Sequence, residues 1–580
     1  MFGFSIKVNA QEPISFRSNA LGGVIDDYLD LVYDPIELRF VDGVRIYTNL
    51  SNLTSSQEKL FNNISDDEFL FGMSSENPFL NFLSHSALIR FQNSETSNSV
   101  GIDSDLDGYT DITGNGTLID EYTAYLDTDY DGLFDLKNML SQEKSSFTTD
   151  DSYSFILNNS LELWILVMGV KLSMGNSTHT GNMASTSLGS ADGVLSGVNW
   201  DDPTFSRSVI TYLIEDEYDN LTWSEDGVFN SENNISFTNW DISVMVDLFD
   251  FEFRTDLAVF SNQTLSNFND DYSGQYEYFD PGISSYADNY SETDSYFSKT
   301  DEDGGGFAFG GSLRKIFEEM YERKNDGYWE FGGSASSGSY DYTDSTSSQF
   351  SSIETYFDGL NTNNTDFVKT NSEQSAISDV GTKKFSKYNF FGRLNIPIGE
   401  NVYFGIGGYL NQSTINRETD YTESVNNVTD YNYTDSDYDD IDYITTITSQ
   451  LTADRNYDLF NSTFIWPVGL EYKLGGQNKW SLRFGSIFTS TYQTINDAKQ
   501  VTDAEPYVTE TEYGNGDVTI DFDNNIFESI SEHTRTASSS TVFTYGLGYN
   551  PTKNLQIDML GIGSGDLEFD GVRLSFSVKF

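Results

Sequence analysis

The chain has 580 residues, with 91 acidic and 31 basic side chains that leave a formal net charge of −60. This charge argues against nucleic acid as a partner, because phosphate backbones are repelled, and the lack of cysteine excludes disulfides and thiolate metal sites. Aromatic residues make up 15% of the chain and there are 47 glycines, which favours strands and turns over disorder.

The first ten residues look like the end of a secretory signal peptide. Val8 and Ala10 place small side chains directly before Gln11, as signal peptidase prefers. Residues 1–10 are therefore interpreted as a signal-peptide remnant, and export is expected. The most apolar run, LELWILVMGV at 161–170, is about half the ~20 residues that a transmembrane helix requires.

A distinctive segment, FRSNALGGVIDDYLDLVYDPIEL, precedes the first predicted strand. It resembles the opening segment of FadL-type long-chain fatty-acid transporters at Arg17, Ala20, Gly22, Gly23, Asp26, Asp27, Tyr33 and Pro35. In that family the segment lies inside an outer-membrane barrel, so the resemblance implies a hatch-like unit over residues 11–38. Asp34, Ile36 and Glu37 depart from the family pattern, and no fatty-acid specificity is carried over. A capped helix packed below the barrel is the alternative.

The N-terminal half contains several short runs typical of strands and one run with helical spacing. The predicted strands are DGVRIYTNL, SALIRFQN, SYSFILNN, WILVMGVKLSMG, SVMVDLF and FEFRTDLAVF. Residues 312–324 place Leu313, Phe317 and Met320 on one side of a helix. That spacing predicts a short amphipathic helix at the periplasmic rim.

Two repeats of the form D-x-D-x-D-G-x-x-D lie within the predicted link 96–150. Aspartates at alternating positions supply hard oxygen ligands, and Gly108 and Gly132 allow the chain to fold around one ion. The predicted calcium ligands are Asp103, Asp105, Asp107, Asp111, Asp127, Asp129, Asp131 and Asp135. A solvated acidic loop is the alternative.

The repeats differ from the loop of a calcium sensor. An EF-hand requires glutamate at its twelfth position, where Gly114 and Asn138 stand in these repeats. With fewer carboxylates for each ion, the repeats are typical of extracellular modules that bind calcium at roughly 10⁻⁴–10⁻³ M. The predicted cofactor is therefore a structural calcium ion.

The C-terminal third carries the strongest pattern, a repeated alternation of apolar and polar residues. It recurs in NVYFGIGGYL, FIWPVGLEYKL, WSLRFGSIF, TVFTYGLGY, NLQIDMLGIG and FDGVRLSFSVKF. The turns near 397–401, 475–479 and 550–554 are short, whereas the links 413–457 and 494–539 are long and rich in Asp, Asn, Thr and Tyr. Short turns and long outer loops on alternate sides are typical of a transmembrane β-barrel.

The last segment points to the same architecture. Gly571, Phe576, Val578 and Phe580 resemble the C-terminal signal of bacterial outer-membrane β-barrel proteins. That resemblance implies assembly by the barrel-assembly machinery and contact with outer-membrane lipid and lipopolysaccharide. The predicted fold is all-β, an antiparallel barrel of about 14–16 strands over residues 39–580. A soluble all-β sandwich is the alternative.

Six arginines fall on the polar faces of predicted strands and would line the barrel interior. They are Arg45, Arg90, Arg254, Arg393, Arg483 and Arg573. Glu252, Asp256, Glu471 and Asp558 would share that interior. One interpretation is a salt-bridge network that fills the barrel, and the other is a cationic constriction that steers anionic solutes.

No enzyme motif is recognised. The sequence lacks G-x-S-x-G, H-E-x-x-H, P-loop and dinucleotide fingerprints in a usable context, and its 3 histidines argue against a histidine-based triad. The predicted function is an outer-membrane channel or transporter for small solutes or amphiphiles, with a calcium-stabilised surface loop. The alternative is a structural or adhesive surface protein that uses the barrel to anchor its loops.

Overall fold

The computed structural model describes residues 15–50, 68–76, 82–97, 117–126, 136–193, 220–249, 251–280, 286–319, 326–357, 367–399, 401–433, 442–475, 479–523, 529–552, 554–563 and 572–580. Two short helices come first, α1 (Phe16–Ala20) and α2 (Tyr28–Tyr33), followed by a 3-10 helix (Glu37–Phe40). Within these ranges no helix is long and apolar enough to cross a membrane.

The rest of the described chain is almost entirely β-strand. The strands are β1 (Val44–Leu50), β2 (Glu68–Glu76), β3 (Leu83–Ser97), β4 (Thr117–Leu126), β5 (Leu136–Leu163), β6 (Leu166–Gly193), β7 (Asn220–Leu248), β8 (Phe251–Asp280), β9 (Tyr286–Glu318), β10 (Gly327–Phe357), β11 (Phe367–Ile398), β12 (Val402–Tyr433), β13 (Tyr443–Leu474), β14 (Trp480–Tyr513), β15 (Val518–Asp523), β16 (Ile530–Thr552), β17 (Leu555–Gly563) and β18 (Val572–Lys579).

Sixteen of the described strands form one closed antiparallel ring. In order these are β1 to β3, β5 to β14 and β16 to β18, each paired with the next. The ring closes where β18 pairs with β1, with Lys579 opposite Arg45. A closed ring has no sheet edge and leaves no ladder group unpaired. The predicted all-β barrel is thus confirmed, and the soluble sandwich is wrong.

Two further strands occupy positions already present in the ring. β4 pairs with β5 beyond the point where β3 ends, and β15 pairs with β14 beyond the point where β16 begins. β4 therefore lies in line with β3 along β5, and β15 lies in line with β16 along β14. The barrel therefore still has an even number of strand positions. This is expected for an antiparallel barrel in which the first and last strands also pair antiparallel.

The two long C-terminal links are largely strand, which corrects the prediction of long loops at 413–457 and 494–539. β12, β13 and β14 each have 32 or more residues. β12 and β13 run through most of 413–457, and β14, β15 and β16 together through most of 494–539. A membrane-crossing strand needs only about 9–11 residues. The error arose because these extensions have polar side chains on both faces, and so lack the alternation that marks a half-buried strand. Threonine and tyrosine nevertheless favour pairing.

The predicted helix at 312–324 is wrong for its described residues. Residues 312–318 belong to β9 and pair with both β8 and β10, for instance Leu313 with Phe253 and Phe331. Leu313 and Phe317 fit both a helical and an alternating period, so spacing alone does not separate the two. Arg314 decides the outcome, because as a strand residue it faces inward and meets buried carboxylates.

The outer face of the ring carries an apolar belt beside the short turns. Its exposed side chains include Met168, Val170, Trp240, Ile242, Phe253, Leu257, Phe307, Phe309, Phe331, Phe390, Phe464, Trp466, Trp480 and Phe484, which are 39–61% accessible. Trp164 and Phe249 stand at two turn tips and are 90% and 98% exposed. Apolar surface on this scale is stable only in lipid, and aromatic residues at the rim are typical of membrane barrels. The protein is a transmembrane β-barrel of the outer membrane.

Candidate functional site

Residues 15–41, called the plug below, fold into a compact unit ahead of β1. Ser15 caps α1 by accepting a hydrogen bond from the Ser18 amide at 2.9 Å. Gly22 and Gly23 follow with φ of 67° and 75°, a left-handed conformation that glycine adopts without strain. A capping box then starts α2, and many plug side chains are almost completely buried.

The plug lies inside the ring, at the end that carries the short turns. Thr544 on β16 donates a hydrogen bond to the Ala20 carbonyl at 3.1 Å, while Asn158 on β5 donates to the Val32 carbonyl at 2.9 Å. These strands lie on different sides of the barrel. A side chain at Gly405 on β12 would collide with the plug, so the wall has made room for it. Contacts in several directions at once show that the plug is enclosed by the wall.

One buried ion cluster joins the plug to the wall at β13 and β14. Glu471 accepts hydrogen bonds from Arg17 of the plug and from Arg483, each at 2.7 Å. Arg483 also donates to Asp558 on β17 at 2.5 Å. Gln556 links the same carboxylate to Asp27 of the plug, at 2.6 and 3.1 Å.

A second buried cluster joins the plug to β9, β10 and β11. Arg314 donates to Glu37 of the plug at 2.6 Å and to Glu330 at 3.1 Å. Arg393 donates to the same Glu330 carboxylate at 2.7 Å and to Asp26 of the plug at 2.9 Å. Two arginines thus share one wall carboxylate, and each also contacts a carboxylate of the plug.

A third contact joins the plug to β8. Arg254 pairs with Asp34 of the plug and with Asp256 beside it, the latter at 2.8 Å. Ser243 donates a hydrogen bond to that Asp256 carboxylate at 2.5 Å. The second and third clusters line a polar cavity of about 40 Å³ between plug and wall. A space of this size and polarity suits ordered water.

The structure brings three of the six predicted lumen arginines together around the plug. Arg254, Arg393 and Arg483 each contact carboxylates, as the salt-bridge interpretation expects. Arg45 pairs with Asp42 at 2.7 Å, beside the ring closure. Anion steering by this wall is not tested by these contacts and stays a prediction.

The other two predicted arginines are Arg90 on β3 and Arg573 on β18. Arg90 is an exposed residue of β3 that pairs with Ser154 on β5. Arg573 lies opposite Leu560 in the register of β17 and β18, and its side chain falls outside the described residues. Neither position is joined to the plug by the ion pairs described above.

The remaining predicted sites are described only in part. Asp103, Asp105, Asp107, Asp111, Asp127, Asp129, Asp131, Asp135 and Gly571 all lie outside the described residues. Phe576 and Val578 belong to β18, opposite Thr48 and Ile46 of β1. The Phe580 amide donates to the Val44 carbonyl at 2.9 Å, so the C-terminus takes part in closing the ring.

Two of the five arginines in the plug network were missed by the sequence analysis. Arg17 was noted only for its family resemblance, and Arg314 was assigned to a helix. Both are nearly buried, at 2% and 7% exposure. The available signal was that each arginine directly follows an apolar residue, Phe16 or Leu313, in a chain with few basic residues. An arginine in such a position requires a buried carboxylate partner.

A further set of ion pairs lines the inner face above the belt. Arg455 on β13 donates to Asp497 on β14 at 2.6 Å and to Asp379 on β11 at 3.3 Å. Arg417 on β12 donates to the Tyr342 hydroxyl at 2.7 Å. Most of these residues come from the links predicted as loops, which is why no inner-face role was expected for them.

Comparison with solved structures returns outer-membrane receptors at low similarity. A mutant of the ferric enterobactin receptor PfeA from Pseudomonas aeruginosa is 9% identical, with a TM-score of 0.24 over 93% of this chain and 80% of that one. The ferripyoverdine receptor of the same organism is 9% identical, with a TM-score of 0.21 over 92% and 71%. Fiu from E. coli K12, a ferric-catecholate import receptor, is 6% identical, with a TM-score of 0.23 over 93% and 82%.

Likeness at these TM-scores carries no argument about the solute. No protein-family profile matches the chain, and no curated protein does. The FadL-type resemblance of the opening segment is therefore not shown and stays a prediction. The class of the protein rests on its own closed ring and apolar belt.

Proposed function

We propose that the protein passes small solutes or amphiphiles across the outer membrane and that the plug is its gate. The observation that carries this proposal is the position of the plug, inside the barrel and tied to separate wall strands by charged side chains. A barrel that served only as an anchor has no need for a separate segment fastened to its inner wall by ion pairs.

The chemistry of the plug contacts suits a gate. Buried ion pairs fix geometry strongly but add little net stability, because desolvation of the charges offsets their attraction. When the plug shifts and water enters, each arginine and carboxylate is solvated again. The shift therefore costs less free energy than the exposure of an apolar plug would. Ion pairs therefore favour one closed position while keeping the cost of leaving it low.

A reversible cross-link tests the gate. The native chain has no cysteine, so Val24→Cys with Gly405→Cys creates a single pair. A Cβ at Gly405 would lie 3.1 Å from the Cβ of Val24. This is below the ~3.5–4.5 Å found in disulfides, so the bridge requires a small outward shift of the plug, which the single variant Gly405→Cys also undergoes. We expect the oxidised protein to lose solute uptake in liposomes and conductance in planar bilayers, and reduction to restore both.

The single variants Val24→Cys and Gly405→Cys serve as controls, because neither forms the bridge. Equal uptake by the oxidised and reduced double variant would overturn the gate. Absence of uptake and conductance in the native protein under all conditions would overturn passage itself.

A structural or adhesive role is the second candidate, favoured by the length of the strands. β12 has 32 residues, and at ~3.4 Å per residue it is about 105 Å long, far more than a bilayer requires. The excess lies on the side opposite the short turns, which is the outer surface. Attachment of cells to a surface, lost on shortening β12 and β13 while uptake persists, would support this role.

The aspartate-rich repeats are proposed to bind calcium and to stiffen the loop that carries them. Titration calorimetry of the purified protein should show binding at roughly 10⁻⁴–10⁻³ M. Replacing Asp105, Asp107, Asp129 and Asp131 by asparagine should abolish it, while Asp517→Asn, in a turn outside the repeats, should not. Equal calcium binding by both variants would contradict the assignment.

A further inference from the structure

The inner face of β6 to β9 carries a cavity of about 200 Å³ that is separate from the plug contacts. It lies above the apolar belt, since its residue His179 stands five positions beyond Met174, an outward residue of the belt on β6. The lining also includes Asn233, Phe268 and Thr300, one from each of the next three strands. Four neighbouring strands thus build one wall of the upper lumen.

The strand register explains why these side chains share a surface. His179 lies opposite Asn233, Asn233 opposite Ser266, and Ser266 opposite Thr300. Residues directly opposite on antiparallel strands project from the same face of the sheet. That face is the inner one, because on β7 the same alternation includes the buried Ile235. The cavity therefore opens into the barrel.

A second row lies directly beside the first and completes the lining. Ser231 lies opposite Phe268, and Phe268 opposite Ser298. The Ser231 hydroxyl donates to the Gly181 carbonyl at 3.5 Å. Glycine at 181 leaves open the space that a side chain would occupy, since a Cβ there would lie 2.7 Å from the Ser231 hydroxyl oxygen.

Most of the polar lining groups are neutral hydroxyls and amides. The Ser266 hydroxyl donates to the Asn233 side-chain oxygen at 3.0 Å, and the Thr300 hydroxyl donates to Asp344 at 3.0 Å. A hydroxyl that donates one bond still has lone pairs to accept others, and the asparagine amide has two N–H donors. The cavity thus presents both donors and acceptors, as a solute with several hydroxyl groups requires.

An aromatic cluster forms the apolar part of the cavity wall. The Phe268 ring meets Phe229 and Tyr296 edge-on, with centroids 4.9 Å and 5.5 Å away. Tyr296 remains 40% exposed on the same inner face. Such a cluster offers a rigid apolar surface beside the polar rows. The C–H groups of a sugar ring pack on a surface of this kind while its hydroxyls reach neighbouring polar groups.

The charged residues around the cavity indicate whether its solute is charged or neutral. The lining contains neither lysine nor arginine, and its one acidic residue, Glu232, alternates with the inward Asn233 and so projects from the outer face. The inner-face cations Lys383, Arg417 and Arg455 belong instead to β11, β12 and β13. An anionic solute gains no ion pair in the cavity and meets the field of an acidic chain. The polar contacts favour an uncharged solute.

We propose that this cavity binds one ring of a neutral sugar on its way through the barrel. The proposal rests on the proposed function, since it names the class of solute that the lumen passes. The aromatic cluster contributes the apolar contact, and Asn233 and Ser266 contribute hydrogen bonds. Recognition takes place above the membrane, before the solute reaches the plug.

Binding is tested on the purified full-length protein by equilibrium dialysis with radiolabelled maltotriose, glucose and glucuronate. We expect saturable binding of maltotriose and glucose, and weaker binding of glucuronate. Asn233→Ala with Phe268→Ala should reduce the affinity for maltotriose roughly tenfold or more, the loss of one hydrogen bond and one aromatic contact. Migration on unheated gels checks that the variant barrel is folded.

The matched control is Asn234→Ala with Phe297→Ala, which removes the same residue types from the outer face of β7 and β9. This control should bind maltotriose as the native protein does. Equal affinities of the inner-face and outer-face variants, or tighter binding of glucuronate than of glucose, would overturn the sugar site. Sugar binding that persists while all uptake is absent would overturn the proposed passage but support this site.

Discussion

At the scale of single residues, charge burial is what holds the plug to the wall. Arg17, Glu471 and Arg483 are each no more than 2% exposed. A buried charge without a partner costs several kcal/mol, so each residue depends on the other two. The arrangement specifies one position of the plug, because only in that position does each buried charge meet its partners.

Glu471→Gln should therefore loosen the plug and lower stability by about 3–5 kcal/mol, because two buried guanidinium groups lose their shared carboxylate. The measurement is the urea midpoint for loss of compact migration on unheated gels, together with protease cleavage in the plug. The control is Glu162→Gln, which removes a 43% exposed carboxylate 3.4 Å from Arg39 and should cost less than about 1 kcal/mol. Similar midpoints for the two variants would contradict this account.

Two buried threonines allow a direct test of hydrogen-bond satisfaction. The Thr419 hydroxyl has no partner in the described part of the chain, whereas the Thr544 hydroxyl bonds the Ala20 carbonyl of the plug at 3.1 Å. Valine has the same shape as threonine without the hydroxyl. We expect Thr419→Val to be neutral or stabilising by up to about 1 kcal/mol, and Thr544→Val to cost about 1–2 kcal/mol. Urea midpoints provide the comparison, and the reverse order would refute it.

At the scale of elements, the strands have two parts governed by different rules. Near the turns, lipid on one side and the lumen on the other impose strict alternation, as in β13 from Phe464 to Tyr472. Farther out, both faces meet water or polar neighbours, and pairing is supported by tyrosine, threonine and cross-strand ion pairs. Alternation in the sequence predicts only the part of each strand near the turns. It does not predict the polar part farther out, called the extension.

The ion pair between Arg455 and Asp497 predicts how one extension responds to pH. It lies above the belt, and the hydrogen bond from Arg455 lowers the pKa of Asp497 from its ordinary value. A carboxyl with a lowered folded pKa stabilises the protein above its unfolded pKa of about 3.9, and that contribution is lost as pH falls through the folded value. Native urea midpoints should therefore drop as the pH falls from about 5 towards 2.

Asp497→Asn removes this titrating group and should show a smaller drop over the same range. Asp517→Asn, at an exposed turn, should keep the native drop and controls for the general effect of losing one carboxylate. An identical pH dependence in the native protein and Asp497→Asn would show that this pair does not contribute.

At the scale of the whole molecule, the barrel combines a closed wall, an internal plug and tall polar extensions. Closure removes every sheet edge, which lipid would not tolerate. The most buried apolar side chains include Leu21, Val24 and Val32 of the plug, so much of the apolar core is supplied by a segment that precedes the first strand. The acidic side chains that give the chain its net charge are compatible with extensions standing in water.

The sequence by itself determined the barrel. A wall between lipid and lumen requires apolar and polar residues to alternate along each strand, and this alternation is recognised in the sequence without a structure. It also indicated about 14–16 strands and inward arginines such as Arg393 and Arg483. Only the tertiary structure decided which plug residues meet the wall, because partners such as Asp26 for Arg393 and Arg17 for Glu471 are hundreds of positions apart in the chain. The extended strands and the cavity near Asn233 likewise depend on register between strands, which carries no local signal when both faces are polar.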